Sequence, residues 1–311
     1  MNYSKRFGLL SLTVVLLSLG LIFVKGFNYG IDFAGGTLIQ VQYEGKAPIS
    51  KVREAISADK AYEGASVTYF GSEDEIVIRA KMSSQSLGKD VGDTVSALLK
   101  DTGTFSIRRV DMVGAKVGSE LREKGLMAMM LAIFGILVYV AFRFEWRFAL
   151  ASVLALVHDA TIALGAIALF NIEVNLDTLA AILTLLGYSI NDTIIVFDRI
   201  RDEIRTLKVP ELSEIINESV TRTLSRTTLT SLTTLFVVWA LFLFGGEIIK
   251  SFSFTLMAGI MVGTYSSIFV ASPMLIWMGF SASDFREKEA QKLKREKEKE
   301  KMRQMYEQGT L

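Results

Sequence analysis

Apolar residues along this chain gather into six long runs. A helix needs roughly 20 apolar residues to cross a bilayer. Runs of that kind fall at 7–25, 125–142, 148–170, 179–198, 228–244 and 253–278. Between the first two runs the pattern changes. Thr37–Tyr43 alternates, with Ile39, Val41 and Tyr43 on one face, which predicts a strand. Pro48 opens a helical pattern carrying Val52, Ala55 and Ile56, and Pro suits a first helical turn because its missing N–H would go unpaired there. Val67–Phe70 and Glu75–Ala80 predict a hairpin across Gly71-Ser72. Ser84–Leu99 predicts a second helix, weakened by Gly88 and Gly92, and Thr104–Val110 a last strand. The order βαββαβ is that of a ferredoxin-like module. The expected fold is a polytopic α-helical membrane protein with six transmembrane helices. A small extracytoplasmic α+β ferredoxin-like domain lies between helices 1 and 2.

The distribution of Lys and Arg sets an expected orientation. Lys5-Arg6, Arg143 with Arg147, and the loop Arg199–Arg226 fall on one side. The opposite short loops hold Asn171-Ile172-Glu173 and Gly245-Gly246-Glu247. Both termini are therefore expected in the cytoplasm. The expected divisions are 1–25 (cytoplasmic N-terminus and first helix), 26–120 (extracytoplasmic domain), 121–280 (the other five helices) and 281–311 (charged tail). No small-x-small cleavage site follows the first run, so it reads as an uncleaved anchor. The loop 199–226 places Leu207, Leu212, Ile215, Ile216 and Val220 between charges, and is expected to lie along the membrane surface. The tail from Asp284 to Gln308 reads as a solvated helix or a disordered end, with contact to ribosomes or anionic membrane lipid as the alternative.

Composition agrees with the hydropathy pattern and narrows the chemistry. Half of the residues are hydrophobic (50%) and mean hydropathy is +0.38. A net charge of +1 gives no reason to expect a nucleic-acid partner. There is no Cys and one His, which removes thiol chemistry and any His-rich metal site.

Candidate chemistry lies inside the apolar runs. Asp159 stands near the middle of 148–170, at the depth of the bilayer midplane. A charged group there costs on the order of 3 kcal/mol or more, so such groups face a bundle interior and serve ion or proton pathways. A carboxyl group in low dielectric becomes a usable proton carrier near neutral pH. His158 precedes it, and adjacent helical residues point about 100° apart, so the two are not expected to face one partner together. The bland alternative for Asp159 is polar glue to a Ser, Thr or Asn of a neighbouring helix, and for His158 a hydrogen-bonded packing role. The next run carries Ser189, Asn191, Asp192, Asp198 and Arg199. Asp192 and Arg199 share a stripe but lie about 10 Å apart along the axis, too far to pair. Each needs another partner, with Asp159 a candidate, and Arg199 alternatively belongs to a charge belt at the helix end. Thr227, Thr228, Thr230, Ser231, Thr233 and Thr234 can line a water path or bond their own helix. Gly259 and Gly263 suit close helix packing. Asp32-Phe33-Ala34-Gly35-Gly36-Thr37 lacks the Lys-Ser/Thr and helix of a phosphate cradle, so its glycines are expected to turn the chain from membrane helix into strand. Glycines at 26–36 and 114–125 suggest joints for a rigid-body swing of the small domain. Asp159 and Asp192 on adjacent runs also raise an intramembrane aspartyl protease, but a Gly-x-Gly-Asp signature is absent.

Four segments together resemble a known family. They are Asp32–Thr37, Val113–Leu121, His158-Asp159 and Gly187–Arg201. They are similar to the SecF family of protein-export membrane proteins, within the SecD/SecF group of the RND superfamily. The last block separates SecF from its paralogue SecD. The resemblance covers about 1–280 and leaves the tail outside. Ala115 departs from it, standing where the family usually has Pro. The resemblance implies an RND-like fold and no enzyme activity. It implies SecD as partner, the SecYEG translocon, a translocating preprotein, and YajC and YidC as further candidates. It implies a cytoplasmic (inner) membrane location and export driven by a proton gradient without a bound cofactor, Na⁺ being the alternative ion. The coupling roles fall on Asp159 with His158, and on Asn191, Asp192, Asp198 and Arg199. The other readings are a passive scaffold for SecD and an RND-type small-molecule exporter.

Overall fold

The protein, analysed as a computed structural model, is described over residues 4–80, 91–206 and 211–307. Six helical stretches among these are long and apolar enough to cross a membrane. They are α1 (Ser4–Lys25), α5 (Ala115–Arg143), α6 (Trp146–Leu169), α7 (Leu176–Thr206), α8 (Leu212–Phe244) and the run Gly246–Trp277, which divides into α9 (Gly246–Ser266), a π turn (Ser267–Ala271) and α10 (Ser272–Trp277). About half of the apolar window is buried in α6, α7 and Gly246–Trp277 (56%, 50% and 56%), against 11%, 11% and 17% in α1, α5 and α8. The three helices that carry the candidate acids and their partners thus form the centre, and the other three stand around it.

The segment between α1 and α5 folds as expected. It holds β1 (Asn28–Tyr29), α2 (Ile31–Ala34), β2 (Gly36–Tyr43), α3 (Ile49–Ser57), β3 (Ser66–Phe70), β4 (Ser72–Ala80), α4 (Val91–Leu99) and β5 (Phe105–Val113). The antiparallel sheet runs β3-β4-β2-β5, with β2 at its centre. This is ferredoxin-like topology. Alternation works as predicted: Ile39 and Val41 of β2 and Ile76 and Ile78 of β4 are fully buried against Val52 and Ile56 of α3 and Val95 and Leu99 of α4. Each such side chain contributes about 1.5–3 kcal/mol. Gly71 has φ +77°, so the hairpin turn takes a conformation that favours glycine. Of the helix predicted over Ser84–Leu99, the part from Val91 on is α4, and Ser84–Asp90, Gly88 included, lies outside the described residues.

The amphipathic segment 199–226 differs from expectation. Its described residues are not a separate helix. It continues α7 to Thr206 and starts α8 at Leu212, so the two helices run on past their apolar windows. Its apolar residues have a partner within the protein: Ile215 and Ile216 are fully buried in one cluster with Phe197, Ile204, Phe280 and Phe285. Leu207 lies outside the described residues.

The tail forms α11 (Ala282–Glu307) and is largely exposed from its second turn on. Its base is tied to α7, where Arg205 donates to both carboxylate oxygens of Glu289 (2.7 and 2.5 Å). The guanidinium holds the Glu289 carboxyl below the usual carboxylate range. A lowered folded pKa adds stability above the unfolded value and loses it as pH falls through the folded one. A spin label at Lys292→Cys should therefore gain mobility between about pH 5 and 3. In a Glu289→Gln background it should be mobile throughout. Equal mobility at both pH values in the native background would show that this pair does not anchor the tail.

Candidate functional site

Asp159 is fully buried where α6, α7 and α9 meet. Ser189 Oγ of α7 and Ser266 Oγ of α9 both donate to its Oδ2, at 2.5 and 2.7 Å. His158 Nδ1 lies 2.8 Å from Oδ1. Small residues permit this approach. A Cβ on Gly263 would lie 3.1 Å from Ser189 Cβ, and one on Gly259 would lie 2.5 Å from Leu185. The small-xxx-small pair of α9 therefore sets the α7–α9 distance. Ser266 directly precedes the π turn. Pro273 follows it, and proline both lacks the N–H for the i−4 carbonyl and collides with it, so the helix widens there.

The structure corrects two expectations about partners. His158 and Asp159 do not point apart; the imidazole folds back onto the neighbouring carboxyl. Asp159 pairs with neither Asp192 nor Arg199. Asp192 Oδ2 accepts from Ser231 Oγ of α8 (3.2 Å), whose Oγ accepts from Thr264 of α9 (2.7 Å). Its Oδ1 is buried without a partner among the described residues. Arg199 pairs with Glu203 at 2.6 Å. Asp198 is partly exposed between Arg143 (3.2 Å) and Arg201 (3.6 Å), at the bundle end opposite the sheet. Asn191 is exposed on α7. The structure thus brings His158, Asp159 and Ser189 together, sets Asp192 in a second hydroxyl group, and leaves Asp198, Arg199 and Asn191 apart from both. With Asp159 and Asp192 each held by its own hydroxyls, no carboxyl pair of the aspartyl-protease kind forms. Among the described residues His158 Nε2 is buried without a partner, and the residue lines a largely apolar groove of about 600 Å³ bounded by Lys5, Leu12, Val15, Phe269 and Trp277.

The threonine row of α8 divides. Ser231 reaches Asp192, and Thr234 accepts from Tyr188 (3.2 Å). Thr230, Thr233 and Thr234 bond their own helix.

Sequence reading missed Ser266 and Glu203. The signal for Ser266 was a cluster of small polar residues, Thr264, Ser266 and Ser267, inside an apolar run. For Glu203 it was the i,i+4 spacing from Arg199. Glu203 is buried (2% exposed) and also meets Arg222 of α8 at 3.1 Å. Glu203→Gln should destabilise the protein by about 1–2 kcal/mol, because both arginines are partly exposed and can turn to water. A melting temperature equal to that of the native protein would refute this.

The Asp32–Thr37 motif forms the root of the sheet domain. Gly35 (φ +74°) and Gly36 (φ +136°) adopt conformations that favour glycine. A Cβ on Gly35 would lie 2.7 Å from Ala115 Cα, and one on Gly118 would lie 3.0 Å from Gly35 N. Among the glycines predicted as free joints, Gly35 and Gly118 pack against one another, Gly30, Gly36 and Gly125 pack against Glu173, Ala80 and Leu179, and Gly26 and Gly114 remain open. Ala115 is the first residue of α5, a position that accepts Pro, which accounts for its standing in for one. Phe33 and Thr37 are buried. Asp32 Oδ2 accepts from the backbone N–H of Leu176, the first residue of α7 (3.0 Å). Asn175 caps the same helix through Thr178 N (2.9 Å). A carboxylate at a helix N-terminus stabilises it by about 0.3–1 kcal/mol.

A bundle of six spanning helices with buried acids at its centre and a ferredoxin-like domain after the first helix defines a multi-pass membrane protein of RND-like architecture. Residues 94–281 match the family described as protein export membrane protein SecD/SecF, C-terminal, and residues 20–47 match the SecD/SecF GG motif. The chain is 49% identical to protein translocase subunit SecF of Helicobacter pylori over 311 residues, covering 100% of this chain and 96% of that protein. It is 43% identical to protein translocase subunit SecF of Pseudomonas aeruginosa over 275 residues, covering 88% of this chain and 89% of that one. The crystal structure of SecDF, a translocon-associated membrane protein from Thermus thermophilus, superposes with a TM-score of 0.80 at 36% identity, covering 89% of this chain and 38% of the SecDF chain. The chain belongs to the SecF family of SecD/SecF protein-export membrane proteins.

Proposed function

We propose that this chain is the SecF subunit of a SecDF-type complex that uses proton movement to help draw polypeptide across the cytoplasmic membrane. The observation that carries the reading is Asp159. It is a fully buried carboxyl group at mid-span, contacted by two neutral hydroxyls and one imidazole. Among the described residues no Lys or Arg pairs with it, and an acid at that depth in a bundle interior is a candidate for a proton pathway. His158 bonds Asp159 on one side and borders the largely apolar groove on the other, which makes it the candidate relay for a proton at Asp159. Asp192, with Ser231 and Thr264, forms a second polar step in the same bundle.

A partner within the membrane fits α7. Ala180, Thr184, Gly187 and Asn191 form an exposed stripe at helical spacing, and a Cβ on Gly187 would meet nothing within 4 Å. Small and polar residues at mid-span suit a close-packed helix from another subunit rather than lipid. SecD is the partner that fits, SecYEG the translocon, and the preprotein the cargo, with YajC and YidC as further components. The N- and C-termini then lie in the cytoplasm, with the sheet domain outside.

The test is export into inverted membrane vesicles carrying the whole complex, with and without an imposed gradient. Dissipating H⁺ and Na⁺ separately names the ion. Stimulation lost with the H⁺ gradient alone supports the reading, and loss with Na⁺ alone replaces the ion. Insensitivity to both refutes it. A second reading, a passive scaffold for SecD, is favoured by Asp159 having three hydrogen-bonding neighbours, as structural glue would. It predicts that Asp159→Asn weakens thermal stability of the purified complex as much as it weakens export.

A further inference from the structure

The two acid-bearing helices α6 and α7 are consecutive, and only residues 170–175 join them. Besides its bonds to the adjoining ends of α6 and α7, that connector is tied at several points to the root of the sheet domain. Lys25 Nζ donates to Leu169 O at the end of α6 (2.7 Å), and Asn28 Nδ2 to Asn171 O (3.5 Å). β6 (Glu173–Val174) pairs in parallel with β1, and Gly30 N donates to Val174 O (2.9 Å). Arg79 of β4 pairs with Glu173 (2.7 Å). Asp32 receives the N–H of Leu176 at the start of α7. Asn171, Glu173 and Val174 of the connector, with Leu169 before it and Leu176 after it, are thus bonded to the end of α1, to the segment that leads into β2, or to β4, while Phe170, Ile172 and Asn175 bond the adjoining ends of α6 and α7.

The opposite end of the linkage is Asp159. Its Oδ2 binds Ser189, which lies 13 residues along α7 from Leu176. At 1.5 Å per residue this is about 20 Å of continuous helix. If a proton arriving at Asp159 alters its bonds to Ser189 and Ser266, α7 shifts against α6, and the connector between them must follow. We propose that the connector 170–175, held by the β1–β6 pair, the Arg79–Glu173 ion pair and, at its junction with α7, Asp32, transmits movement between the buried acids and the sheet domain. Asp32 is then a positioning residue. It touches neither proton nor cargo, and gives the GG motif a role that a turn from helix to strand does not require. Allosteric coupling needs two sites and an element that both bias, and here the connector is that element. The inference rests on the proton-driven reading above, and its test separates the two.

The test uses the assembled complex in vesicles, with proton flux followed by a pH-sensitive dye and export assayed in parallel. The variants are Asp32→Ala, Asp32→Asn, Arg79→Glu, Glu173→Arg, and the double reversal. Asn at position 32 can still accept the Leu176 N–H, so it serves as the conservative control. Asp32→Ala and each single reversal should keep proton flux within twofold of native, while the gradient-dependent part of export falls at least fivefold. Asp32→Asn and the double reversal should recover export to within twofold. Export that persists in Asp32→Ala and in both single reversals overturns the proposal. So does a parallel loss of flux and export, which would place Asp32 in the service of the proton path itself. A native complex indifferent to the gradient would instead refute the proton-driven reading, before any variant is compared.

Discussion

Asp159→Asn should assemble and melt like the native protein yet export no faster with a proton gradient than without one. The amide matches the carboxyl in size, and its oxygen can accept the bonds that Ser189 and Ser266 now donate to Oδ2. Its NH₂ group can face His158 Nδ1, which as neutral imidazole can accept there. The net cost to stability should stay near 1 kcal/mol, since a satisfied buried hydrogen bond is replaced by another. What the amide cannot do is exchange a proton. The prediction is therefore a separation: thermal stability and co-purification of the complex unchanged, gradient-dependent export reduced to its gradient-free level. A mutant that melts several degrees lower and loses export in proportion would make Asp159 a structural tie. A mutant that still responds to the gradient would remove it from the coupling path.

Gly35→Ala should be the most damaging small substitution in the sheet domain. Gly35 has φ +74° and ψ 162°, a region open to glycine and costly for L-residues. The added methyl would also meet the backbone of Ala115, at 2.7 Å from Cα and 2.9 Å from N. Backbone cannot yield as a flexible side chain can. Strain and overpacking together should cost about 3–5 kcal/mol, a large part of a typical stability margin. Gly64→Ala is the control, because Gly64 has φ +77° but open space around its missing Cβ. It should cost about 1 kcal/mol. Thermal melting of the two variants measures the difference. Equal shifts would show that conformation alone, and not the approach of α2 to α5, makes Gly35 necessary.

The membrane and sheet elements were legible because burial imposes a period. Ile39, Val41 and Tyr43 alternate because one face of β2 meets α3 and α4. Asp159 was legible because an acid amid lipid-length apolar sequence has few uses. Its partners were not. Ser189 and Ser266 lie 30 and 107 residues away, and a serine in an apolar run looks the same whether it bonds an acid or its own helix. The folding of His158 onto Asp159 escaped because backbone spacing fixes where Cβ points, not how far a ring can turn back. Loop 199–226 was misread for a related reason. An amphipathic segment needs one apolar surface, and Ile215 and Ile216 find theirs in Phe280 and Phe285 of the same chain rather than in lipid. The bond from Leu176 to Asp32 spans 144 residues and involves a backbone N–H, which leaves no trace in residue type.

The central claim is that the Asp159 carboxyl changes protonation as the complex works. Infrared difference spectroscopy on the native complex in membranes, comparing energised with de-energised states, observes this directly. A protonated-carboxyl band that appears or disappears between the two states, and is missing from the Asp159→Asn complex, is the predicted result. A native spectrum with no such band, or one that Asp159→Asn leaves intact, would contradict it.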